Sequence, residues 1–173
     1  MPTLIELVRS ENLNPRINTL YAMMNDTRKM LQRVVKDLTV AEIDYTPDDR
    51  TVETIGTLLY HIAGVEWGWI FMDIGGRELD EEKWKFGFPL RKQVNIEQIS
   101  GKPITYYLNL LEEVRKPVFE YLTQISDDIL EQKIDVDGEL HTVEWIFYHI
   151  FEHELTHIGQ IRLLKRLYKL KNH

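Results

Sequence analysis

The chain contains no cysteine among its 173 residues. Disulfides, cysteine-based zinc sites and a chain-borne thiol nucleophile are therefore excluded. Any thiol chemistry would need a thiol brought in by a small molecule. Cations are outnumbered: 21 lysines and arginines stand against 28 aspartates and glutamates, for a net charge of −7. General nucleic-acid binding needs a basic surface that displaces counterions from phosphates, so this balance argues against it. The basic end, RLLKRLYKLKNH, reads as cations gathered near a helix C-terminus, where they oppose the helix dipole. No stretch approaches the ~20 apolar residues of a membrane span. The N-terminal MPTLIELVRSENLNPR lacks the apolar run of a signal peptide. The expectation is a soluble cytoplasmic protein with no membrane partner. Strand signals are scarce too, and there is no internal repeat.

What is present is ordinary globular composition, 43% hydrophobic and 28% charged. The length suits a single domain over residues 1–173 with a core of its own. Asn14-Pro15 marks a helix start, and Ile17, Leu20, Tyr21, Met24, Leu31, Val34 and Leu38 form one apolar face at helical steps. LTVAEIDYTPDDR then breaks the pattern. A second helix is expected from near Thr51, through Ile55, Leu58, Leu59, Ile62, Val65, Trp69 and Met72, until Gly75-Gly76 ends it. Residues 77–100 read as a long connection that packs Trp84, Phe86 and Phe88 back onto the body. A third helix is expected from about Pro103 to Gln124, kinked at Pro117. A polar connection with a turn at Asp137-Gly138 leads to a fourth helix, from about Thr142 almost to the end. This is the pattern of an all-α four-helix bundle. The connection between helices two and three is long enough for a crossover. Tyr60, Trp67 and Phe71 lie roughly opposite the core stripe of the second helix, and a helix apolar on two sides often buries one against another subunit. A homodimer is expected on that ground.

The stretch HIFEHELTHIGQ carries three of the six histidines. His149, His153 and His157 sit at i, i+4 and i+8 of the fourth helix, on the side of Ile146, Ile150, Ile161 and Leu164. They therefore face the core, where each imidazole costs free energy unless its nitrogens find partners. A metal ion satisfies several at once, and histidines at i,i+4 have the geometry to chelate one. The second helix offers His61, at the edge of its core stripe. His61, His153 and His157 would make a three-histidine site with open positions for water or substrate. His149 is the alternative third ligand. However, the span from His149 to His157 is about 12 Å, too long for one ion. His149 is thus expected to stand behind a ligand or to face substrate.

HELTH also matches H-E-x-x-H, the zinc-protease signature, with Glu154 as the base. Thermolysin-like proteases take a third ligand from a glutamate well downstream, and no residue after His157 is acidic. The metzincin extension needs glycine and histidine where this chain has Gln160 and Leu163. A di-iron bundle needs two E-x-x-H elements. Glu154 and His157 supply one, and although Glu66, Glu112 and Glu113 are available, the other element is missing.

LTVAEIDYTPDDRTVETIGTLLYHIAGVEWGW and LHTVEWIFYHIFEHELTHIGQIRLL resemble the DinB/YfiT-like family of metal-dependent proteins, over nearly the whole chain. The former stretch is similar to the family's loop and second helix, with its histidine at His61. The latter is similar to the family's last helix, where H-E-x-x-H-x-G-Q is typical. The polar run ISDDIL also fits. By this resemblance the family's three ligands fall on His61, His153 and His157. The chain departs from many relatives at Thr156, His157 and Ile158, where they carry two adjacent histidines and an arginine. The ligand is kept and the flanking polar pair is not. The resemblance implies a four-helix bundle, commonly dimeric, that holds a divalent metal such as zinc or nickel. The family includes S-transferases and isomerases that use small thiols such as bacillithiol or mycothiol. The expected function is metal-dependent transfer of a small thiol to an electrophilic substrate. Small-molecule hydrolysis and a non-catalytic metal- or ligand-binding bundle are the rivals. Glu154 would orient a ligand, move a proton, or tie two helices together. Tyr21 and the aromatics of residues 77–100 are candidate pocket walls.

Overall fold

Six α-helices and one two-stranded hairpin follow one another along the described residues. The structure, a computed structural model, describes residues 4–47, 52–87 and 98–172. Helix α1 spans Pro15–Val35 and buries Ile17, Tyr21, Met24, Leu31 and Val35. Asn14 does not cap it as expected. Its side-chain amide donates to the Ile125 carbonyl at 3.0 Å. The first amides of α1 are met from across the fold, where the Asp127 carboxylate accepts from the backbone N–H groups of Arg16 and Ile17 at 3.0 and 2.9 Å. An anion there also opposes the positive end of the helix dipole.

The break after α1 holds a one-turn helix, α2 (Val40–Ile43), closed by a reciprocal Thr39–Glu42 capping box. Helix α3 spans Ile55–Trp67. The Thr54 hydroxyl caps it, accepting from the Thr57 N–H at 3.1 Å. The expected start at Thr51 lies outside the described residues. From Gly68 to Ile74 the helix widens into a π-helical stretch, and Gly76 ends it with a left-handed φ of 65°.

The connection that follows contains helix α4 (Glu81–Trp84). Trp84 is only 1% exposed. Its ring lies 5.7 Å from those of both Tyr60 and Trp67, while Phe86 meets Tyr60 at 6.0 Å. On the same face, Phe71 meets Tyr121 at 6.4 Å. The second apolar face of α3, expected to need a partner subunit, is thus covered by the chain itself. A sequence pattern shows that a face must be buried, but not by what. Phe88 and Pro89 lie outside the described residues.

Helix α5 spans Ile104–Leu122 and continues through Pro117. A 3₁₀ turn (Asp127–Glu131) leads to strands β1 (Lys133–Val136) and β2 (Glu139–Thr142), an antiparallel hairpin. This corrects the all-α expectation: the fold is mostly helical with a small sheet. Asp137 and Gly138 both have positive φ, 54° and 86°, the turn that Asp-Gly forms when it joins two strands. The turn was expected, and the strands beside it are too short and polar to stand out. Helix α6 spans Val143–Lys171 and is capped by the Thr142 hydroxyl, which accepts from the Trp145 N–H at 3.2 Å. It packs against α1 and α3, and α3 packs against α5. Among the described residues no helix is long and apolar enough to cross a membrane.

Candidate metal centre

Two helices bring three histidines together. His61 follows the fully buried Leu58 and Leu59 on α3. His153 and His157 stand one turn apart on α6, held by the buried Ile150, Ile158 and Ile161. Their ligand nitrogens all lie within 4.8 Å of one another. His153 Nε2 is 3.0 Å from His61 Nε2 and 2.9 Å from His157 Nε2. Nitrogens bound to one ion at about 2.0–2.1 Å stand about 2.9 Å apart at a right angle and about 3.4 Å apart at the tetrahedral angle. The two short separations therefore match ligands of one ion.

Protonation supports the same reading. His61 Nδ1 donates to the Gly87 carbonyl. A carbonyl oxygen only accepts, so the neutral ring carries its proton on Nδ1 and turns the Nε2 lone pair inward. His157 Nδ1 donates to the Gln160 side-chain oxygen at 2.5 Å, with the same result. His153 Nε2 then faces two lone pairs. One proton could serve one of them, whereas a cation serves all three nitrogens. Gly87 reaches His61 because α3 has no side chain at Gly64. A Cβ there would stand 3.3 Å from Gly87 Cα and 3.3 Å from Trp84 Cε3. Burial holds the His157 imidazole below the ordinary histidine range, which favours the neutral form a metal needs.

Beside the histidines lies a buried cluster of four charges, one from each long helix. Arg28 (α1) donates through Nε and Nη2 to Glu154 (α6) at 2.7 and 3.1 Å, and through Nη2 to Glu66 (α3) at 2.7 Å. Its Nη1 donates to the Leu111 carbonyl at 3.1 Å. Arg115 (α5) donates to Glu66 at 2.5 and 3.0 Å, to Glu154 at 3.5 Å, and to Asn25 at 2.9 Å. The four side chains are at most 6% exposed. Burial opposes each charge, yet Arg115 and Arg28 together hold the Glu66 carboxyl below the usual carboxylate range. Likewise, Glu154 and Glu66 outweigh burial and hold the Arg28 guanidinium above its ordinary value.

Both carboxylate oxygens of Glu154 are thus engaged by guanidinium groups, and its contacts describe the helix-tying role among those open to it. Tyr21 is placed beside this cluster, 6.0 Å from the Arg115 guanidinium and 5.3 Å from the Phe119 ring. Arg28 and Arg115 are not evident as site residues in the sequence. Arg28 leaves one signal, a gap in the apolar stripe between Met24 and Leu31, whereas Arg115 lies beside Val114 in a stripe that runs unbroken from Leu111 to Val118.

His149 lies next along α6, its ring 5.7 Å from that of His153. It stacks on Trp145 at 4.9 Å and 7°, and Trp145 stacks on His141 at 4.5 Å. Trp69, presented by the π-helical stretch, meets all three rings edge-on at 5.6 to 6.1 Å. His149 Nδ1 is 3.2 Å from Glu152 Oε2.

Comparisons with known proteins bear on this arrangement. The sequence model of the DinB superfamily matches residues 23–161. The Bacillus subtilis (strain 168) protein YkkA, itself uncharacterised, is 20% identical over 163 residues, covering 91% of each chain. YizA of the same strain, also uncharacterised, is 29% identical over 122 residues, covering 69% of this chain and 67% of its own. Among solved structures, a conserved protein from Enterococcus faecalis superposes with a TM-score of 0.63 at 17% identity, covering 86% of this chain and 94% of its own. A DinB-like protein from Bacillus cereus does so at 0.52 and 15% identity, covering 89% and 91%. At these identities the structural matches speak to the fold alone.

The buried charges and the histidines each generate a measurable expectation. Arg28→Met leaves Glu66 and Glu154 buried with less countercharge, so it should destabilise the fold by about 3–5 kcal/mol in urea denaturation. A loss under about 1 kcal/mol would show that the cluster does not hold the helices. The depressed His157 pKa means that the unfolded chain binds more protons than the folded one just below the ordinary histidine value. The stability this histidine contributes is complete above about pH 6.5 and declines as the pH falls toward the depressed folded value. The melting temperature of metal-free protein should therefore fall on acidification from about pH 7 to pH 5, and less steeply in His157→Gln. Equal slopes would refute the assignment.

Proposed function

The chain belongs to the DinB superfamily, and on that footing we propose that it is a metal-dependent enzyme that transfers a small thiol to an electrophilic substrate. The observation that carries this reading is the convergence of three inward-facing imidazole nitrogens. His61, His153 and His157 would hold a divalent cation; zinc and nickel suit an all-imidazole donor set. Three protein ligands leave coordination positions for a small molecule. A bound cation supplies Lewis acidity, which keeps a coordinated thiol ionised near neutral pH. The absence of cysteine fits a thiol brought in from solution. In the transfer, sulfur's electron pair forms the new bond to carbon, the leaving group departs with its bonding pair, and the thiol proton passes to solvent.

The residues of the chain have separate tasks in this scheme. Gly87 and Gln160 set the tautomers of His61 and His157. Glu154 keeps α6 in register through Arg28 rather than carrying the proton. His149, beside His153 and backed by Trp145, contacts the thiol or the substrate. Elemental analysis of untagged protein should give about one divalent ion per chain, and His153→Ala should lose it. A fully loaded variant would sink the site. Metal-loaded protein should consume a model electrophile only when a bacillithiol-like thiol is present. Turnover without thiol would instead support hydrolysis by metal-activated water, and no turnover across a broad panel would leave a binding protein.

We also propose that the four long helices form a four-helix bundle with a crossover between the second and third, and that the protein is a cytoplasmic homodimer. The support for a dimer is an exposed apolar line on α6: Tyr148, Leu155 and Leu163 are 47, 45 and 56% exposed, with Gly159 between them and nothing within 4 Å of its Cβ position. Sedimentation at micromolar concentration should show a dimer that Leu155→Glu dissociates. A monomeric wild type would refute it.

A further inference from the structure

The basic end of α6 carries more charge than its helix terminus accounts for. The dipole of a helix acts within about its last turn, which in α6 covers Lys169 and Lys171. Arg162, Lys165 and Arg166 lie one to two turns further back. They do not scatter around the helix. With Lys169 they line one groove of about 360 Å³ between α6 and the end of α1, whose apolar lining is Val34 and Leu170. That volume is at the lower end of the ~300–1,000 Å³ range of small-molecule sites.

Among the described residues none of these four cations forms an ion pair with a carboxylate. Glu42 is close enough to feel Lys165 and Lys169, but its carboxylate is committed to the α2 cap through the Thr39 N–H and hydroxyl, both at 2.9 Å. Lys165 is pinned in place by donating to the Val34 carbonyl. On a chain of net charge −7, four cations sharing one groove amount to a local reversal of the surface field.

We propose that this groove binds a small organic anion that carries a phosphate or a similar multivalent oxyanion on an apolar substituent. Arg162 and Arg166 stand at i,i+4 and present two guanidinium forks from neighbouring turns, the geometry that favours tetrahedral and planar oxyanions. Val34 and Leu170 meet the apolar part. The site is distinct from the histidine trio: Arg162, Arg166 and Lys169 project at least about 90° around α6 from His157 at 100° per residue. The inference rests on the groove alone and stands whether or not the histidines hold a metal.

The test is calorimetric titration of the full-length protein with phenyl phosphate at low ionic strength, alongside inorganic phosphate and neutral phenol. Phenyl phosphate should bind saturably, more tightly than inorganic phosphate, with phenol not binding. Arg162→Gln/Arg166→Gln changes two exposed side chains, so folding should be unaffected, as a melting curve will check. It should weaken phenyl phosphate by at least about tenfold, the loss expected for two charge-assisted hydrogen bonds. His153→Ala should bind as wild type does. The proposal fails if phenyl phosphate does not saturate, if the double variant binds equally well, or if His153→Ala abolishes binding, which would place the anion at the histidines. It also fails if only phosphatidylglycerol vesicles bind, which would assign the cations to a membrane surface. A change in sedimentation of the double variant without a change in phenyl phosphate binding would assign them to a subunit interface and refute the proposal.

Discussion

The structure depends on four charges placed where water cannot reach them. Arg28, Glu66, Arg115 and Glu154 come from α1, α3, α5 and α6, one from each long helix. A buried charge is tolerated only when its partner's geometry is good and its remaining hydrogen-bonding capacity is filled. Each guanidinium must therefore meet two carboxylates from two different helices, and the backbone carbonyl of Leu111 and the amide of Asn25 complete the set. Apolar side chains would let the helices slide or rotate at modest cost. A closed network of forked hydrogen bonds does not, because any slip leaves an unpaired charge in the core.

That constraint reaches the histidines through the backbone. Glu154 stands between His153 and His157 on α6, and Glu66 lies just over one turn after His61 on α3. Arg28 grips both carboxylates at 2.7 Å. Arg115 reaches the same two carboxylates through Nη2 at 3.0 and 3.5 Å, so the separation of α3 from α6 at the level of the three imidazoles is set by arginines from the two other long helices, with Arg28 the closer to Glu154. A further constraint acts from the other side, where Gly64 admits the turn after α4 and Gly87 turns the His61 ring. Between them, the ring nitrogens converge without any one histidine having to adopt an isolated, unsupported position.

Much of this was legible in the one-dimensional pattern because helices repeat. The apolar stripes of α1, α3, α5 and α6 place those helices to within a few residues, and i,i+4 spacing puts His153 and His157 on one face. His61 stands out as a polar residue at the edge of an otherwise apolar stripe. The hairpin is less visible. Two four-residue strands with half-exposed side chains carry little hydrophobic alternation, and only their Asp-Gly turn has a strong local signature. The cap of α1 by Asp127 is invisible in the sequence, since its partners are over a hundred residues apart.

By itself the sequence determined the helical content, the absence of chain-borne thiol chemistry, and the three histidines on two helices. Each follows from local rules of composition or periodicity, which need no knowledge of neighbours. Only the tertiary structure decided what Glu154 is paired with, what covers the second face of α3, and which atoms meet the Nδ1 groups of His61 and His157. Those outcomes turn on contacts between segments far apart in the chain, such as Arg28 with Glu154 and His61 with Gly87. A helical period shows that a side chain points inward. What it meets there is settled by the packing of the other helices.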